Sequence, residues 1–194
     1  MRTPRTLAVV LATVSVALAG IAPAAHAADT KPATGSFTFI TANGILPTWS
    51  SDDLVLIGVS PGSAVTTITN TNAKVTLPVV ARTGSAVAAA GGFRINNIDT
   101  NQTFRCSSPT IDVRANVVDC VIIGGTNAAL FAITGVAQRN RIVGSSTITD
   151  IYRGMTLRLN GQRMADLLNS SLSVATFSPS VTVATADLVV TQNR

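Results

Sequence analysis

Val75-Thr76-Leu77-Pro78-Val79 alternates apolar and polar side chains with a period of two, and its reading decides the fold. Successive side chains on a strand point to opposite faces, so such a run sets one row in a core and the other in water. The same alternation recurs in both directions along the chain. Phe37 and Phe39 flank Thr38, Phe93 and Ile95 flank Arg94, and Ile111 and Val113 alternate with Asp112 and Arg114. Met155, Leu157 and Leu159 alternate with Thr156 and Arg158, and Val181 and Val183 flank Thr182. Turn formers separate the runs, among them Ser60-Pro61-Gly62, Gly91-Gly92, Gly124-Gly125-Thr126-Asn127 and Gly144-Ser145. Many short strands with frequent turns predict an all-β protein, an antiparallel β-sandwich or flattened barrel.

One segment departs from the two-residue period. Met164, Leu167, Leu168 and Leu172 recur at helical spacing within Asn160 to Leu172, and the Asn160 side chain is placed to accept from the first free amides. A single short helix near the C-terminus is predicted there, its apolar stripe covering one end of the sandwich, with a last strand over Val181 to Val190.

Arg2 and Arg5, the apolar run Leu7 to Ala19 and the small-x-small triplet Ala25-His26-Ala27 together predict a cleaved signal peptide over 1–27. The apolar run is shorter than the roughly 20 residues of a membrane-spanning helix, so no transmembrane segment is expected after cleavage. Residues 28–35, small, polar and containing Pro32, read as a flexible lead-in, and 36–194 as one β-sandwich domain. The expected location is secreted or extracellular, with association to the cell wall as a variant of it.

Loss of the leader removes the chain's only histidine, His26, and there is no glutamate anywhere. Proton transfer near neutral pH relies chiefly on His, with Glu, Asp, Lys, Tyr or Cys as substitutes. Nine aspartates, two lysines and one tyrosine remain, which points away from an enzyme. Twelve basic residues against the nine aspartates leave the exported chain at +3, and one Trp and one Tyr offer few stacking surfaces, so nucleic acid is not an expected partner. Arg139, Arg141, Arg153, Arg158 and Arg163 fall close together in sequence and suggest contact with an anionic cell-wall polymer. Cys106 and Cys120, an even count in an oxidising compartment, predict one intramolecular disulfide, the alternatives being free thiols or an intermolecular bridge.

Gly58-Val59-Ser60-Pro61-Gly62 matches the nucleophile-elbow pattern. The residue after the serine is a proline, which has no N–H for an oxyanion, and no histidine survives to take the serine proton, so the stretch reads as a turn. Asp52-Asp53 and Asp99-Thr100 read as exposed turn residues, because a calcium site needs several further oxygen ligands. With His absent and both cysteines paired, no metal site is expected.

Gly35-Ser36-Phe37-Thr38-Phe39-Ile40, Val75 to Val79, Gly91-Gly92-Phe93-Arg94-Ile95, Ser108 to Val113, and Met155-Thr156-Leu157 leading into Ala165-Asp166-Leu167-Leu168-Asn169 form an ordered set. That order resembles the HtaA-type domain of secreted and surface-anchored haem-uptake proteins of actinobacteria. The resemblance implies a β-sandwich with a terminal helix and an envelope location. It also implies that haem-binding members hold iron through a tyrosine of the opening strand, helped by a downstream histidine. The corresponding position here is Phe39, and Phe93 to Asn101 contains no histidine, so the expected haem ligands are missing. Tyr152, Met155 and Met164 are the other conventional axial-ligand side chains.

Two functions follow as expectations. The first is a secreted, non-enzymatic structural or interaction protein of the bacterial envelope or extracellular space, without a cofactor. The second is a binding module for haem or another flat apolar ligand, lined by Phe39, Trp49 and Tyr152. A secreted hydrolase is the remote third.

Overall fold

The apolar members of nearly all the alternating runs face one common interior. Phe37, Phe39, Val75, Leu77, Val79, Phe93, Ile95, Ile111, Met155, Leu157 and Leu159 are all buried, while Val181 lies just outside a strand and is exposed. The computed structural model describes residues 29–66 and 71–194. The expected leader over 1–27 lies outside the described residues.

The strands are β1 (Thr30–Thr41), β2 (Leu54–Val59), β3 (Ser63–Thr66), β4 (Ala73–Thr83), β5 (Ala86–Ala89), β6 (Gly92–Asn97), β7 (Gln102–Asp112), β8 (Val117–Val121), β9 (Asn127–Gly135), β10 (Gln138–Val143), β11 (Thr147–Leu159) and β12 (Thr182–Asn193). Two helices, α1 (Ile45–Ser51) and α2 (Gln162–Leu172), accompany them. Eight strands form a closed antiparallel ring in the order β7-β5-β4-β1-β12-β11-β9-β8, and β8 returns to β7. Three pieces hang from this ring: β3 on β4, β10 on β11, and a flap in which β6 pairs with β7 and β2 pairs with β6.

The barrel, named in the sequence reading as the flattened alternative, is therefore the architecture, and the sandwich is not. Period-two alternation is the same in both; what separates them is whether the first and last strands of the sheet bond to each other, which depends on residues distant in sequence. Here Thr110, Ile111 and Asp112 pair with Asp119, Val118 and Val117 and close the ring. The buried Cys106 and Cys120 are joined by a disulfide across this seam, with Cα atoms 5.2 Å apart.

Three local expectations are corrected. The lead-in expected over 28–35 is strand from Thr30 onward, since Thr30, Lys31 and Pro32 pair with Thr83, Arg82 and Ala81. The pairing then slips between Pro32 and Ser36, where Gly35 has φ 132° and a Cβ would stand 2.0 Å from the Val189 carbonyl oxygen, so only glycine lets β1 approach β12 that closely. A second helix, α1, exists beside the expected one. It is seven residues long, too short for a periodic signal, and its Pro47 sits in the first turn, where no intrahelical amide bond is forfeited. The expected helix begins at Gln162 with Gly161 as its cap residue and no side-chain cap bond, so Asn160 does not cap it.

Both helices cover the same mouth of the barrel. Trp49 of α1 and Leu168 of α2 reach one interior cavity together with Phe39, Phe93, Phe104 and Phe131. Asn97 donates to the Leu172 carbonyl at 2.8 Å and ties the C-terminal end of α2 to β6. Among the described residues no helix is long and apolar enough to cross a membrane.

Candidate functional site

The structure brings two of the three sequence-derived lining residues together. Phe39, on the inward row of β1, and Trp49, on the buried face of α1, are both 4% exposed and line the same internal cavity. Phe39 meets Phe93 edge-on at 5.4 Å and Phe131 at 6.5 Å, and Trp49 meets Phe177 at 5.5 Å. Tyr152 is elsewhere, half-buried on β11 opposite Arg139 of β10 and Leu188 of β12.

The aromatic rings fill the space they surround. The cavity left among them measures about 20 Å³, room for about one water molecule. Thr41 is its one polar lining residue, and its hydroxyl oxygen accepts from the Ala73 amide at 2.8 Å. A macrocycle does not fit this interior, and no lining side chain offers an imidazole, thiolate or phenolate to iron. Of the remaining axial-ligand side chains, Met155 is fully buried in the barrel, while Met164 borders a groove outside it.

That groove runs between α2 and the start of β9 and measures about 700 Å³, within the usual 300–1,000 Å³ range of small-molecule sites. Its apolar members are Ile122, Ala128, Ala129, Met164 and Leu167, and its polar rim includes Asn127, Asn160, Arg163 and Asp166. Gln162 donates to Asp166 at 2.8 Å, which fixes that carboxylate on the helix. The sequence signal for these residues was weak, because the polar face of a short amphipathic helix reads as a solvated surface.

The candidate catalytic motifs occupy turns. Ser60 is exposed in the turn between β2 and β3, closed by the Gly62 amide donating to the Val59 carbonyl at 2.9 Å, and strand follows on both sides. Asp52 accepts a hydrogen bond from the Thr176 hydroxyl. Asp99 and Thr100 lie in a turn whose amides both donate to Asn97 Oδ1 at 3.0 Å. Among the described residues no three His, Cys, Asp or Glu side chains converge as a metal site.

One carboxylate is buried. Asp150 of β11 accepts from Arg82 at 2.5 Å and from Arg141 at 2.6 and 3.0 Å. The hydrogen bond from Arg141 holds this carboxyl below its ordinary range against the opposing cost of burial, and Arg82 adds to the lowering. The same bond raises Arg141. With its acceptor sites committed to two guanidiniums, Asp150 is a structural anchor and a poor proton acceptor. The five arginines grouped in sequence are divided among three elements: Arg139 and Arg141 lie on β10, where Arg141 is bonded to Asp150, Arg153 and Arg158 are exposed on β11, and Arg163 of α2 borders the groove.

No family model matches the chain, and no curated protein matches it in sequence. A solved structure, the haem-binding protein HtaB from Corynebacterium glutamicum, superposes with a TM-score of 0.50 at 14% identity, covering 86% of this chain and 98% of that one. The distant resemblance to Hta-type haem-uptake domains thus holds at the level of the fold.

Proposed function

We propose that the chain is a secreted, non-enzymatic interaction protein of the bacterial envelope or extracellular space, which keeps an HtaB-like barrel but works through its outer surface. The observation that carries this reading is the closed aromatic interior: Phe39, Trp49, Phe93, Phe131 and Phe177 occupy the barrel mouth and leave about 20 Å³. The shortage of proton-transferring side chains supports the non-enzymatic part. The groove beside α2 is the favoured contact site, its apolar floor and hydrogen-bonding rim suiting a small amphipathic molecule. A segment of cell-wall polymer is the other partner class suggested by the basic surface.

A second reading, a carrier of haem or another flat apolar ligand, is favoured by the likeness to HtaB. Haemin titration separates the two. The first reading expects no saturable Soret shift at micromolar haemin; a saturable shift that disappears when Ala128→Trp fills the groove supports the second. Turnover of ester or glycoside substrates by the pure protein, lost in Ser60→Ala, would contradict both.

A further inference from the structure

Arg94 of β6 and Arg105 of β7 occupy directly opposed register positions on the flap, and both are exposed. Opposed residues on neighbouring antiparallel strands hold their Cβ atoms about 4.5–5.5 Å apart, and like charges placed so destabilise the pair. A nearby carboxylate is the usual remedy. Among the described residues, however, the only ion pairs are the two made by Asp150 of β11, so Arg94 and Arg105 have no counterion among those residues. Together with Gly58, Val59 and Thr103 they line a surface depression of about 390 Å³.

We infer that this depression is an anion site, in which one tetrahedral oxyanion, a phosphate or sulfate group, bridges the two guanidiniums. Each guanidinium presents a planar fork of N–H donors suited to two oxygens at once. Two forks one strand spacing apart, about 4.8 Å, match the opposite edges of a single tetrahedral oxyanion better than they match a planar carboxylate. The next residue across the flap is Ile57, opposite Arg94, which limits water on that side and strengthens the attraction. Thr103 donates its hydroxyl to Asn96 Oδ1 at 3.1 Å, so the amide oxygen is already engaged and the Asn96 NH2 remains to donate. The face carries no aromatic side chain: Val55, Ile57, Val59, Arg94, Asn96, Thr103, Arg105 and Ser107 are its outward residues, which suits a phosphate ester and not a stacked base.

The site is independent of the groove beside α2, so failure of either leaves the other standing. Its test is titration of the full exported chain with inorganic phosphate at constant ionic strength, read from the Nε–Hε resonances of Arg94 and Arg105. Saturable shifts of both resonances are expected. Arg94→Gln and Arg105→Gln should each weaken binding about tenfold or more, as loss of one charge-assisted partner implies. Circular dichroism checks that each variant is folded, and Arg114→Gln, an exposed arginine in the turn after β7, should leave the affinity unchanged. Shifts that do not saturate, affinity retained in both variants, or an equal loss in Arg114→Gln would overturn the site. A short glycerol-phosphate oligomer in the second arm identifies the source: tighter binding per phosphate than the free ion assigns a phosphodiester polymer, and parity assigns the free ion.

Discussion

Asp150 shows how one side chain ties distant strands together. Its carboxylate, 4% exposed, joins Arg82 of β4 to Arg141 of β10 from a position on β11, so three strands depend on a single acid. Arg82 also donates to the Gly84 carbonyl at 2.8 Å and its side chain is only 13% exposed, so water replaces the lost partner poorly. Asp150→Asn should lower stability by about 1.5–3 kcal/mol, the range for hydrogen bonds to charged groups, as measured by urea denaturation at pH 7. The pH dependence has a definite sign. A carboxyl whose folded pKa lies below its unfolded value of about 3.9 contributes stability that is present above that value and is lost as pH falls through the folded pKa. Denaturation midpoints of the native chain should therefore fall as pH drops below about 4, and this segment of the curve should flatten in Asp150→Asn.

At the scale of elements, the seam between β7 and β8 is where the barrel closes, and the disulfide sits on it. Cys106 and Cys120 are separated by 14 positions, so the bond closes a short loop and contributes about 3 kcal/mol in the chain-entropy account. Reduction, or Cys106→Ala with Cys120→Ala, should lower the melting temperature by several degrees while the circular dichroism spectrum at 20 °C, to within roughly the usual error for a chain this size, stays β-rich. A melting temperature indifferent to reductant would show that seam pairing alone carries the closure. The helices teach a different lesson. The stripe of α2 was legible because four apolar residues recur over three turns, whereas α1 buries only Leu46 and Trp49 over seven residues and leaves no period to detect. Trp49 itself was legible as a large apolar group, but nothing local announced that it would meet Phe177 and Phe39's cavity across the barrel mouth.

Across the whole molecule, the ring of eight strands and the pieces attached to it differ in how firmly they are held. β10 pairs with β11 alone, and all six of its residues are exposed, Ile142 and Val143 included. Arg139 and Arg141 keep that free edge charged, which discourages pairing with another chain. Few buried contacts mean a low cost of local opening, so the amides of β10 should exchange with deuterium before those of β8 and β9, as read by hydrogen-exchange mass spectrometry. Equal protection would mean that β10 opens only with the barrel.

The sequence alone determined what short-range chemistry determines. Alternation at Phe37 to Phe39, Val75 to Val79 and Met155 to Leu159 set the inward rows, because the side-chain period of a strand is local. The helical stripe of α2 was readable for the same reason, the disulfide from an even cysteine count, and the scarcity of proton-transfer groups from composition. Only the tertiary structure decided that the sheet closes, that Phe39 and Trp49 fill the interior together while Tyr152 stands apart, that Arg141 is committed to a buried acid, and that Arg94 faces Arg105 with no counterion among the described residues. Those outcomes depend on which strands become neighbours, and strand pairing is fixed by contacts between residues far apart in the chain.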